Sequence, residues 1–208
     1  MNFENTITSL EELIELHGEV SLAARHKQHS SLDAHCQEFI AASPMLMLST
    51  SSATGLCDVT PRGDAPGFVR VLSANTLAIP ERNGNNRLDS ARNILENPQV
   101  GLIFLIPGVL ETLRVNGRAR LVQDKSLLES FAVNGKIPKF AIVVDTQEVY
   151  LQCGKAFKRS NLWQPESWNA AKTLTARGVM LADHASSAGI NQHDMQSLLE
   201  TAYKDRLY

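Results

Sequence analysis

The chain has 208 residues, 43% of them hydrophobic and 20% charged, with a formal net charge of -2. That suits one globular domain with a real core, and it gives no global electrostatic case for nucleic acid or an acidic membrane surface. No apolar run approaches the ~20 residues of a membrane helix. Cys36, Cys57 and Cys153 are too few and too odd a set for a disulfide framework. The opening Met1-Asn2-Phe3-Glu4-Asn5 lacks the basic and apolar regions of a signal peptide. The expectation is a cytoplasmic protein without nucleic-acid or membrane partners.

The first 43 residues read as helical. Ser9-Leu10-Glu11-Glu12 is a capping box, and Gly18 is placed to end that helix. Leu10, Leu13 and Ile14 share one face. A second helix is expected from about Ser31 to Ala42, with Leu32, Cys36, Phe39 and Ile40 as its apolar side and Pro44 as its stop.

The middle is β-rich. Met45 to Thr50 and Cys57 to Thr60 read as strands around an Ala53-Thr54-Gly55 turn. Pro61 to Gly67 reads as a loop, and Phe68 to Leu72 with Thr76 to Pro80 as a hairpin. Leu88, Ala91 and Leu95 mark one face of a short helix ended by Asn97-Pro98. Val100 to Ile106 is apolar throughout and should be a central strand. Glu111 to Val122 alternates strictly, with Leu113, Val115, Gly117, Ala119 and Leu121 on the buried face. Asp124 caps an expected helix of about eight residues, judged by pattern. Phe140 to Val144 and Glu148 to Gln152 are two more strand signals. A C-terminal helix follows Asn191, with Met195, Leu198, Leu199, Ala202 and Tyr203 at helical spacing. Strands at hairpin spacing with helices at both ends predict an α+β barrel.

Familiar catalytic motifs are absent. There is no G-x-G-x-x-G after a strand, no G-x-x-x-x-G-K-[ST] and no G-x-S-x-G. His26, His29, His35 and Cys36 crowd together without metal-ligand spacing or an acidic partner, so they read as a solvated surface and no metal is expected. Arg62-Gly63-Asp64 spells an adhesion tripeptide, which a chain without a secretion signal carries by chance.

Three basic clusters remain: Arg62; Arg82, Arg87 and Arg92; and Lys155, Lys158 and Arg159. Each follows a strand end beside small residues that let backbone approach a ligand. The turn Glu81-Arg82-Asn83-Gly84-Asn85-Asn86-Arg87 stands between a strand and a helix. Such a turn can hold an anion with backbone N–H groups, a helix N-terminus and an arginine fork. Taken alone, the same composition more often makes an ordinary solvated turn.

Thr60-Pro61-Arg62-Gly63-Asp64, Pro80 to Asp89, Glu96 to Phe104 and Glu111 to Gly117 together resemble the pyridoxamine 5'-phosphate oxidase-like flavoproteins. Cys153-Gly154-Lys155-Ala156 and Arg159-Ser160-Asn161-Leu162-Trp163 resemble a segment of its predicted flavin-nucleotide-binding branch. The resemblance covers roughly Met45 to Trp163. It implies an antiparallel split β-barrel that binds FMN, as a homodimer with FMN at the subunit interface. Composition and element pattern add a single domain over 1–208, with a helical extension over 1–43, the barrel core over 44–163 and C-terminal helices over 164–208.

Residue roles follow from the same resemblance. Arg87, Asn86 and Arg92, with Arg82 in the same turn, match the basic turn for the FMN phosphate. Thr60, Pro61, Arg62 and Gly63, with Phe68 and Val69, match the region along the ring edge. Pro80 and Glu81 match the strand end beside the ribityl chain. Glu111 and Thr112 match a segment that reaches the flavin from the second subunit. Lys155, Arg159 and Trp163 match closing residues from the C-terminal part. The true oxidases carry an Arg-Leu-His-Asp-type segment near the C-terminus for the pyridoxamine phosphate. This chain ends Lys204-Asp205-Arg206-Leu207-Tyr208 without one. FMN binding is thus better supported than vitamin B6 oxidation.

No acid/base pair names a catalytic residue or substrate. The leading expectation is an FMN-dependent oxidoreductase that passes hydride between flavin and a substrate, or NADH or NADPH. The rival is a flavin-binding protein for storage or sensing without turnover. Related split barrels bind deazaflavin or haem, but no histidine lies between Cys36 and Arg177 to ligate haem iron.

Overall fold

The computed structural model describes residues 1, 3–169 and 173–208. One seven-stranded antiparallel sheet runs in the order β2-β1-β5-β6-β7-β4-β3. Its strands are β1 (Met45–Ser51), β2 (Cys57–Gly63), β3 (Arg70–Ser73), β4 (Thr76–Pro80), β5 (Gln99–Leu105), β6 (Thr112–Val122) and β7 (Ala141–Gln152). With helices at both ends, this is the α+β split barrel that the resemblance implies.

The strands form where apolar residues alternate. In β1, Leu46, Leu48 and Thr50 point into the core, and in β5 Val100, Leu102 and Phe104 do the same. Leu113, Val115 and Ala119 of β6 are buried as the alternation predicts. β6 and β7 pair over their whole length with an irregularity between Asn116 and Gly117. A Cβ at Gly117 would collide with the Asp145 carbonyl on β7, so the two backbones meet here only because position 117 has no side chain.

Several local expectations change. Pro61, Arg62 and Gly63 continue β2 rather than forming a loop. An edge strand tolerates Pro61, whose missing N–H need not break the ladder. The two strand signals around Asp145 are one strand, β7, since Asp145 and Thr146 keep pairing with Arg118 and Gly117. Helix α4 (Asp89–Glu96) buries Ser90, Ala91 and Ile94, while Leu95 is 75% exposed. Its inner face is partly polar: Ser90 Oγ donates to Asp58 and Asn93 Nδ2 to Thr50. Apolar periodicity therefore misplaces the face by about one residue.

Helix α1 (Leu10–His17) has the Ser9–Glu12 capping box and ends at Gly18, as read from the sequence, but buries no residue. A short helix α2 (Leu22–His26) follows, which the sequence pattern did not suggest. Helix α3 (Ala34–Ala42), capped by Asp33, sends Cys36 and Ile40 into the core beside Leu32. Asp124 caps α5 (Lys125–Ser130), six residues long. After β7 come α6 (Lys155–Ser160), α7 (Arg177–His184) and α8 (Gln192–Asp205), the last capped by Asn191. Helices α7 and α8 pack on each other, with Gly178 of α7 close against Gln196 of α8. Positions 170–172 of the expected C-terminal helical segment lie outside the described residues. No helix among the described residues is long and apolar enough to cross a membrane.

Candidate functional site

The sheet curls so that β2, at one end of the strand order, faces the end of β4, near the other. Between them lies a cavity of about 870 Å³, within the range of small-molecule sites. Its walls are residues 58–63 of β2, Phe68, residues 80–90, residues 135–140 and the pair Leu207 and Tyr208.

Alternation along β2 turns Asp58, Thr60 and Arg62 inward, while Cys57, Val59 and Pro61 stay exposed. Arg62 donates through Nη1 to Glu81 Oε2 at 2.6 Å. Its Nε is buried and has no hydrogen-bond partner. A buried donor left unpaired is costly, so a cavity-wall arginine with a spare N–H fits a ligand that brings an acceptor.

Arg82 is spent differently. Its Nε donates to Asp64 Oδ2 at 2.7 Å and its Nη1 to the Phe131 carbonyl at 2.9 Å. Burial alone would raise the Asp64 carboxyl. The hydrogen bonds from Tyr208 and Ala65 and the Arg82 charge outweigh it and hold the group below its ordinary range. Arg82 lines the cavity, but its guanidinium is committed to the fold.

The turn over residues 83–88 is shaped by unusual backbone. Asn86 has φ of 58° and Leu88 φ of 59°. For a bulky leucine the left-handed region is strained, and such strain collects at ligand sites. Leu88 gives α4 no side-chain cap, which leaves first-turn N–H groups for a ligand or water. Arg87 is 72% exposed and donates through Nε to Asp89 Oδ2 at 2.7 Å. The hydrogen bond that Arg87 donates to Asp89, then the Asp89 charge, raise the Arg87 pKa further.

The cavity brings together Thr60, Pro61, Arg62, Gly63, Phe68, Pro80, Glu81, Arg82, Asn86 and Arg87 from the sequence reading. Seven others lie off its wall. Val69 is buried in the core, and Arg92 is exposed on α4. Glu111 is exposed, and Thr112 is buried where β6 pairs with Gln152. Lys155 and Arg159 are exposed on α6. Trp163 stacks on Phe157 with 5.5 Å between ring centres, and donates to the Val109 carbonyl.

Sequence reasoning missed Lys136 and Lys139, which face the cavity from the opposite wall and pair with no carboxylate among the described residues. Gly135-Lys136-Ile137-Pro138-Lys139 before a strand carries the same signature of basic residues beside glycine that marked the other clusters. Tyr208 had no such signal. No group of His, Cys, Asp and Glu suited to a metal occurs among the described residues.

The cavity thus combines an unpaired buried donor with a basic turn in left-handed backbone. The family model described as Pyridoxamine 5'-phosphate oxidase matches residues 32–153. The chain belongs to that family. No curated protein matches it. Among solved structures, Group A Streptococcus HupZ is 16% identical over 58% of this chain and 94% of that one, at a TM-score of 0.47. An FMN-binding protein from Syntrophomonas wolfei subsp. wolfei is 13% identical over 55% of this chain and 82% of that one, at 0.43. HutZ, the haem storage protein of Vibrio cholerae, is 20% identical over 59% and 94%, at 0.40. At such identities the ligands in those names do not carry over.

Proposed function

We propose that this protein binds FMN in the cavity between β2 and residues 80–90 and works as an FMN-dependent oxidoreductase. The observation that carries the reading is the unpaired, buried Arg62 Nε on the wall of that cavity. FMN, when bound, supplies two-electron chemistry at its ring. The chain's own residues bind and orient. Arg62 offers Nε to an acceptor on the ring edge, and Thr60, Pro61, Gly63 and Phe68 line the slot. Pro80 and Glu81 stand by the ribityl chain. Arg87 and Asn86 hold the phosphate, with Lys136 and Lys139 adding positive charge.

The same reading makes the protein a C2 homodimer. Glu111, Thr112, Lys155, Arg159 and Trp163 lie off the cavity of their own chain, which is where residues serving a partner's site would sit. The outer face of β2-β1-β5 supports this. Met45, Met47, Ile103 and Leu105 are only half-buried there, an apolar surface suited to an isologous contact. NADH or NADPH is the proposed electron donor and the cytoplasm the proposed location.

A second reading, flavin binding without turnover, draws support from the cavity's carboxylates. Glu81 is paired with Arg62, Asp89 with Arg87, and Asp58 accepts from Ser90, so each of these carboxylates already has a partner. For haem, the described residues of the cavity wall include no His, Cys or Met and leave Tyr208, already bonded to Asp64, as the one axial-ligand type present. The test is a visible spectrum during titration with FMN. A saturable flavin signal supports the site, and no binding at a hundred micromolar FMN refutes it. Bleaching of the bound flavin by NADH or NADPH then separates oxidoreductase from binder.

A further inference from the structure

The segment that follows the C-terminal helices reaches the cavity. Helix α8 ends at Asp205, and Leu207 and Tyr208 lie on the cavity wall. Tyr208 Oη donates to Asp64 Oδ1 at 2.7 Å. The same carboxylate accepts from the Ala65 N–H at 2.8 Å and from Arg82 Nε at 2.7 Å. The Arg82 guanidinium also lies 5.4 Å from the centre of the Tyr208 ring. Asp64 is a prepared anchor: its side chain is 3% exposed, and its charge is matched by Arg82. The ring is thus held at its hydroxyl by a charge-assisted hydrogen bond and on its face by a cation.

Leu207 is 57% exposed, α8 buries no residue, and α7 and α8 pack on each other. A segment with few buried apolar contacts and one good anchor opens locally at low cost.

We propose that residues 206–208 are a strap, latched by Tyr208 on Asp64, which closes one side of the cavity and opens to let the small-molecule ligand in and out. This rests on the functional reading above only for the identity of the ligand, FMN. Breaking the latch should speed entry and exit together, because a strap that blocks passage raises the barrier for both directions.

The test compares the full chain with Tyr208→Phe, which keeps the ring and removes the hydroxyl. Tyr208→Ala, which also removes the ring, serves as a second variant. Trypsin cutting after Arg206 severs the strap, which mass spectrometry follows without any ligand. Tyr208→Phe should be cut about tenfold faster, the scale of a lost hydrogen bond to a charged group, with an unchanged melting temperature. Stopped-flow measurement should find FMN association and dissociation both faster by a similar factor, with little change in Kd. Equal cleavage rates for parent and both variants would overturn the strap. Faster cleavage with unchanged FMN rates would overturn its gating of the cavity. If FMN binds neither protein, the flavin reading fails, and the cleavage rates alone decide the strap.

Discussion

Arg62 on β2 and Glu81 at the end of β4 share a hydrogen-bonded ion pair of 2.6 Å, with side chains only 18% and 16% exposed. In the strand order β2 is first and β4 sixth, so this pair spans the opening of the curled sheet and sets the width of the cavity. Removing one partner leaves a charge in a largely desolvated place. Glu81→Ala should destabilise the ligand-free protein by ~3 kcal/mol, on the scale of a broken buried pair. The double variant Arg62→Met with Glu81→Leu should recover most of that loss. Urea midpoints at constant slope read both effects, and a Glu81→Ala midpoint equal to the parent's would mean that the pair closes nothing.

Arg87 tests the phosphate assignment. It is exposed and shares its charge with Asp89, so its contribution should fall at the low end of the ~1.5–3 kcal/mol of hydrogen bonds to charged groups. Arg87→Ala should weaken FMN binding about tenfold while leaving riboflavin affinity nearly unchanged. Asp89→Asn, which frees the guanidinium, should tighten FMN alone. Calorimetric titration with both ligands is the measurement. Equal losses for the two would place Arg87 away from the phosphate.

The long strand β6 offers a contrast of faces. Leu113 is fully buried, whereas Arg120 pairs with Asp145 at the surface with both side chains half exposed. Leu113→Ala should cost ~2–5 kcal/mol, and Arg120→Ala less than ~1 kcal/mol. Gly117→Ala, though it adds only a methyl group, should also be strongly destabilising, because that methyl meets the Asp145 backbone rather than a side chain that can move. Similar denaturation midpoints for all three variants would contradict the register of β6 on β7.

The cysteines should differ in reactivity. Burial, reinforced by the hydrogen bond to Asp33, pushes the Cys36 thiol up to about 11. Cys57 and Cys153 are exposed. At pH 8 a thiol reagent should label Cys57 and Cys153 in the native protein and reach Cys36 only after unfolding, since the thiolate is the reacting form. Peptide mapping after labelling decides it. Rapid native labelling of Cys36 would show that α3 does not stay docked on the core.

Much of this architecture was legible from periodicity. The alternation of β1, β5 and β6, the capping box of α1 and the caps at Asp124 and Asn191 depend on neighbours in sequence, so local chemistry determined them. Family membership was legible too, because the motif stretch from Pro80 to Gly117 is continuous in sequence, running from the end of β4 through α4 and β5 into β6. Tertiary structure decided what local pattern cannot encode. The inner face of α4 is set by Ser90 and Asn93 bonding to β1 and β2, which apolar spacing does not register. Pro61 reads as a breaker until the strand order makes β2 an edge. Above all, the cavity gathers residues 58–63, 80–90, 135–140 and 207–208, because closing a twisted sheet joins its two ends. Which cations are spent also depends on that closure. Arg82 is committed to Asp64, Arg62 keeps one N–H unpaired, and Tyr208 crosses 144 positions of sequence to reach Asp64.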